Sequence, residues 1–238
     1  MPPRAHFDAL AGLFDYPESD YPARVRRALE VVASRSEPAA RALEAFVAAL
    51  PGSGDAFDPT ELDEIQELFT RSFDVQAITT LGVGYVMFGD DYKRGEMLVN
   101  LGRELRGVGV DGGTELPDHL PNVLRLMARW RDEELVAEFA SEILHPALSR
   151  MIAEFDAPRI AERNRLYEKH YKTLIDSSAE RCTLFREPLK AVLAVVRAEF
   201  ALAEWRAPEV DNDFLRSVGR ELDLEAEQGS LVQIGRTP

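Results

Sequence analysis

Apolar positions along this chain recur three and four residues apart almost everywhere. No run alternates with the period of two that a half-buried strand needs. Phe7, Leu10, Ala11 and Phe14 predict a short first helix, stopped by Tyr16-Pro17. Val25, Ala28, Leu29 and Val32 form the stripe of a second, with Asp20 at its cap and Pro22 in its first turn. Ser36 and Pro38 open a third, with Leu43, Phe46, Val47 and Leu50 inward, and Pro51 to Asp58 reads as a loop. Asp58-Pro59-Thr60-Glu61 combines an acid at the cap, Pro at the first helical position and Glu three residues on. The helix it starts runs through Leu62, Ile65, Phe69 and Phe73, with Arg71 and Asp74 as a local surface pair.

Thr79 to Phe88 is apolar but holds Gly82 and Gly84, which weaken a helix and permit close approach of a neighbour. This is the best place in the chain for a strand. Gly89-Asp90-Asp91 is a turn and cap, and Leu98, Leu101, Leu105 and Val108 define the next stripe, with Lys93, Arg94 and Arg103 on its wet face. Gly107 to Gly113 is a flexible connector. Leu120, Val123, Leu124 and Met127 face inward on the following helix, and Val136, Phe139 and Ile143 on another that His145-Pro146 breaks. Leu148, Met151, Ile152 and Phe155 resume the pattern. Pro158 opens a helix with Ile160, Tyr167, Tyr171, Leu174 and Ile175, and Pro188 one with Leu189, Val192, Leu193, Val196 and Phe200. A short helix around Phe214 to Leu222 precedes the tail. With no internal repeat and no long linker, the expectation is one all-α domain over residues 1–228, with a disordered tail at 229–238.

Composition narrows the function. The 238 residues are 45% hydrophobic and 29% charged, enough to build a core. The net charge of −14 argues against nucleic acid and against docking on an anionic membrane, while suiting a basic partner segment. The start, MPPRAHFDAL, has no secretory apolar stretch, and no run approaches the ~20 apolar residues of a membrane span, so a cytoplasmic protein is expected. One cysteine, Cys182, excludes an internal disulfide, and its plainest reading is a buried small apolar residue. His6, His119, His145 and His170 are scattered, without HExxH, so no metal is expected. GxSxG is absent, and the glycine loop lacks the Gly-Lys-Ser/Thr end of a phosphate cradle. These absences point away from catalysis and from a bound cofactor, and towards binding.

The stretch that stands out is Glu115 to Leu124, ELPDHLPNVL. Pro117 and Pro121 bracket Asp118 and His119 at a helix entrance, where unpaired backbone N–H groups and the helix dipole favour an anion. Two readings stand open: Asp118 caps the helix beside an unremarkable His119, or Glu115–His119 lines a recognition site whose histidine titrates near neutral pH.

ELPDHLPxxL resembles the signature of the NarJ/TorD/DmsD family, cytoplasmic chaperones that mature molybdenum oxidoreductases. Two upstream blocks, Leu68 to Asp74 (LFTRSFD) and Phe88 to Gly95 (FGDDYKRG), follow the order of the NarJ branch, the nitrate reductase assembly chaperones. The resemblance covers about residues 60 to 130. It implies a single-domain helical bundle of that chaperone type. It also implies binding to the N-terminal segment of a catalytic molybdenum subunit, which would delay membrane attachment or export until the cofactor is inserted. In that family the Asp-His pair is linked to peptide recognition, so Asp118 and His119 carry over as peptide-binding residues, with Glu115, Pro117 and Leu120 as further motif positions. LGVGYVM departs from the polar, aromatic-rich stretch usual before FGDD, which leaves the client open among nitrate reductase and its relatives. The alternatives are a helical adaptor for a peptide unrelated to metalloenzymes, and a hydrolase using Asp118 and His119.

Overall fold

The computed structural model describes residues 2–170 and 180–205, and within them every regular element is helical. The order is α1 (His6–Ala11), α2 (Tyr21–Ala33), α3 (Glu37–Ala49), α4 (Pro59–Phe73), α5 (Val83–Phe88), α6 (Tyr92–Gly107), α7 (Leu120–Arg129), α8 (Glu133–Phe139), α9 (His145–Ala153), α10 (Ala157–His170) and α11 (Arg186–Glu199). Tyr171, Leu174, Ile175, the side chain of His170, the helix expected near Phe214 and the tail at 229–238 lie outside the described residues. Among the described residues no helix is long and apolar enough to cross a membrane.

The helices gather around one apolar core. α3 packs between α2 and α11, α11 also meets α9, and α1 lies along α7. Aromatic rings knit the centre. Phe185, fully buried just before α11, stands 5.6 Å from Phe46 of α3 and 5.3 and 5.4 Å from Phe69 and Phe73 of α4. Edge-on contacts of this kind add to the burial that dominates folding. Truncating such a ring to alanine costs roughly 3–5 kcal/mol.

The helix starts follow from local chemistry. Ser36 accepts from the Ala39 N–H, and Asp58 accepts from Thr60 and Glu61 while Glu61 returns a bond to the Asp58 N–H. Asp20, expected to cap α2, makes no such bond; its carboxylate takes Arg24 one turn on. Other expectations are corrected. Arg71 pairs with Glu67 at 2.6 Å, where a partnership with Asp74 was expected. α6 continues through Gly107, shortening the connector. His145-Pro146 does not break its helix: Ala140–Leu144 forms a π turn and the backbone stays helical from α8 through α9. The wider turn falls just where proline removes an N–H and crowds the preceding turn.

The strand candidate is helical at Val83–Phe88. Its upstream part does carry extended pairing, reduced to a single antiparallel bridge between Gly82 and His119. That bridge holds the signature segment in place.

Candidate functional site

The Glu115–Leu124 segment is clamped through its backbone. The Val83 N–H donates to the Asp118 carbonyl at 2.9 Å, and the Leu120 N–H to the Leu81 carbonyl at 2.8 Å. Below it, the Asn122 amide donates to the carbonyls of Leu116 (3.1 Å) and Gly112 (3.3 Å), fastening the glycine loop to α7. Pro121 occupies the first turn of α7, where its missing N–H costs nothing. His119, not Asp118, is the residue at the cap position, and it makes no side-chain capping bond.

Asp118 is turned the other way. Its side chain is 1% exposed, and one carboxylate oxygen accepts from Arg94 Nε at 3.0 Å. The other, Oδ1, is buried without a hydrogen-bond partner. Arg94 was expected on the wet face of α6. It lies instead over the Tyr85 ring, 5.0 Å from its centroid, with its guanidinium drawn to the buried carboxylate. A buried carboxylate needs a paired cation, and that need overrides the polar character that would keep arginine in water. Gly84 makes the approach possible, since a Cβ there would come 2.8 Å from Asp118 Oδ2 and 3.2 Å from Met97 Sδ.

His119 faces an open pocket of about 380 Å³. Phe14, Phe69, Phe73 and Leu81 give it an apolar wall, and Asp15, Asp74 and Glu115 set three carboxylates against the single guanidinium of Arg125. Arg125 is paired with Asp15, while among the described residues Asp74 and Glu115 have no ion-pair partner. Burial lowers the His119 pKa below its ordinary 6.5. Glu115, Asp15 and Asp118 pull it upward and Arg125 pushes it down, without reversing the effect of burial. At neutral pH the ring is therefore an uncharged donor–acceptor.

Of the five signature residues, Glu115 and His119 line the pocket. Asp118, Pro117 and Leu120 hold the segment from behind. Leu120 is fully buried in the core, and the Pro117 ring lies over Gly102 of α6, where an added Cβ would meet it at 3.5 Å. Sequence reasoning missed Asp15, Tyr16, Asn122 and Arg125. Tyr16 carried a usable signal: a large aromatic beside an acid at a helix stop, which proves 52% exposed.

Among the described residues no group of three or more His, Cys, Asp or Glu side chains is placed to hold a metal ion. No protein-family model and no curated protein matches this chain.

Proposed function

We propose that this protein is a dedicated chaperone of a molybdenum-containing oxidoreductase, which binds the N-terminal segment of the catalytic subunit before cofactor insertion and assembly. One observation carries the reading. The three sequence blocks, on neighbouring elements from α4 to α7, meet at one place. LFTRSFD contributes Phe69, Thr70, Phe73 and Asp74 to the pocket, ELPDHLPNVL contributes Glu115, His119 and Asn122, and FGDDYKRG contributes Arg94, which secures Asp118 behind the pocket.

The chemistry suits a peptide. An apolar wall takes a large side chain, and uncompensated carboxylates at the rim take a basic one. In this reading Glu115 and His119 touch the peptide, and Asp118, with Pro117 and Leu120, positions them. The hydrolase alternative, which pairs Asp118 with His119, gains no support: the Asp118 carboxylate takes Arg94 and is turned away from the pocket that His119 lines.

Affinity purification from the native cell tests the proposal, with a molybdenum enzyme subunit expected to come down with the protein. Calorimetric titration with the N-terminal 20 or so residues of that subunit should then show binding, weakened several-fold by His119→Gln while thermal melting is unchanged. Because burial lowers the histidine pKa, the pH dependence that this substitution removes belongs below about pH 6.5. Recovery of no molybdenum enzyme, with a different peptide partner in its place, would leave the adaptor reading instead.

A further inference from the structure

An arginine occupies the apolar stripe of α10. Ile160, Arg163 and Tyr167 fall three and four residues apart on the inward face of that helix, and all three are buried, Arg163 completely. No ion pair holds its charge among the described residues. The buried Glu154 carboxylate, which feels that charge, bonds Arg159 instead at 2.6 Å. Arg163 Nε and Nη2 have no hydrogen-bond partner, while Nη1 donates to the Ile78 carbonyl at 3.0 Å. A buried charge with so little compensation costs stability, and an apolar side chain of similar volume serves a core as well or better. The role of this arginine is therefore to be sought in what it holds.

Ile78 belongs to the turn between α4 and α5. Gln76 opens that turn at a φ of 47°, in the left-handed region that side chains other than glycine seldom adopt. Such a conformation is kept by its surroundings and not by its own preference. Two helices supply them. On one side, the Ile78 N–H donates to the Arg71 carbonyl of α4 at 3.2 Å and the Thr79 N–H to Ser72 at 3.0 Å. On the other, α10 takes the carbonyls, Ile78 through Arg163 and Ala77 through the Tyr167 hydroxyl at 3.5 Å. The chain then runs straight into the pocket, where Thr80 and Leu81 form part of the wall. The Leu81 carbonyl in turn takes the Leu120 N–H at 2.8 Å, one residue beyond His119.

We infer that Arg163 is a positioning residue for the pocket. From α10 it fixes the Thr80–Leu81 wall and, through Leu81, the placement of His119, without touching the bound peptide. Arginine suits the task because it carries an N–H donor across a buried layer to a backbone carbonyl, which no apolar side chain can do. The effect on binding rests on the peptide-binding reading of the pocket. The placement of His119 does not.

Two measurements on the full-length protein test it. The first needs no ligand: magnetic resonance of protein labelled in its histidine rings, with the His119 signals identified by their loss in His119→Gln. Arg163→Met should move the His119 signals near neutral pH. Arg163→Lys, which keeps a donor for the Ile78 carbonyl, should leave them close to the wild type. So should Val192→Ala, which opens a cavity in a fully buried part of α11 that is no part of the pocket wall. The second is calorimetric titration with the N-terminal segment of the co-purified molybdenum subunit. Arg163→Met should weaken binding about five- to tenfold, and Arg163→Lys and Val192→Ala by less than about twofold. Unmoved His119 signals in a folded Arg163→Met overturn the inference. An equal displacement in Val192→Ala overturns it too, since Arg163 would then be an ordinary member of the core. If Arg163→Met does not fold, Arg163→Gln, polar but too short to reach the Ile78 carbonyl, replaces it in both measurements. If that variant also fails to fold, Arg163 serves the fold as a whole and the inference falls. Moved signals with unchanged affinity overturn its part in recognition. A wild-type protein that binds no such segment removes the peptide-binding reading, while the His119 signals still decide the placement.

Discussion

Asp118 shows how one residue can be essential to a site without facing it. Its carboxylate is among the few buried charged groups of the molecule, and one arginine answers it. Removing that arginine leaves a buried charge uncompensated, so Arg94→Met should cost roughly 3–5 kcal/mol. Asp118→Asn keeps the shape and lowers the charge, and should cost less, about 1–3 kcal/mol. Gly84→Ala should be destabilising too, because the added Cβ would displace the Asp118 carboxylate 2.8 Å away. That cost should shrink once Asp118 is also alanine, so the double substitution should be less harmful than the sum of the two. Chemical denaturation of Arg94→Met, Asp118→Asn, Gly84→Ala, Asp118→Ala and the double variant checks the order, and strict additivity of Gly84→Ala with Asp118→Ala would refute the proposed contact. The sequence announced that Gly84 permits a close approach, but not that Asp118 makes it or that Arg94 answers the carboxylate. ELPDHLP advertised Asp118 as an anion at a helix entrance, and Arg94 read as a surface residue, because the pair joins positions 24 residues apart through a fold the pattern does not encode.

Among the helices, what the sequence announces depends on how local the controlling interaction is. The α3 and α4 starts were readable because Ser36 and Asp58 bond to N–H groups two or three residues on. The same reasoning placed Asp20 at the α2 cap, where position was right and the bond was absent, since Arg24 competes for the carboxylate. Asp58→Ala should therefore cost about 1 kcal/mol, and Asp20→Ala only a few tenths. Thermal melts of the two variants decide it, and equal losses would show that side-chain capping is not what separates them. Pro146 misled for a related reason. A proline predicts a break when the helix has no way round it, but here the π turn at Ala140–Leu144 absorbs the misfit and α8 runs on into α9. Stripe residues such as Leu43, Phe46, Leu124 and Val192 proved buried because burial of a periodic face is a local instruction with a global result. The pocket needed more: Phe14 and Asp15 from the turn after α1, Phe69 from α4 and His119 from the signature converge only once the bundle has formed.

At the scale of the whole molecule, the buried histidines among the described residues make stability depend on acid. His6 packs against Phe7 with both ring nitrogens lacking hydrogen-bond partners, and burial, followed by the charges of Arg35 and Arg4, lowers its pKa to about 4. Glu199 stands 3.6 Å away and would favour a proton, but it does not outweigh the loss of water and the two cations. Burial also lowers His119 and His145. The sign follows from proton uptake. An unfolded histidine protonates as pH falls through about 6.5, whereas folded His6 stays neutral down to about 4, so the unfolded chain binds more protons within that window. Stability due to a neutral His6 is present above about pH 6.5 and is lost as pH falls towards 4. Burial acts oppositely on Glu154, raising its pKa, so its contribution is present at low pH and lost as pH rises through the raised value. Among the described residues, His6 alone has a defined window, and it predicts a loss of stability from pH 6.5 to 4. His6→Leu removes the largest identified part without breaking a hydrogen bond, because the ring nitrogens make none. Urea denaturation across that range should show the wild type losing up to roughly 3 kcal/mol more than the variant, as expected for a histidine that stays neutral down to about pH 4 in the folded protein. Parallel profiles for the two proteins would mean that His6 titrates as it does in the unfolded chain, and that the acid response belongs to other groups.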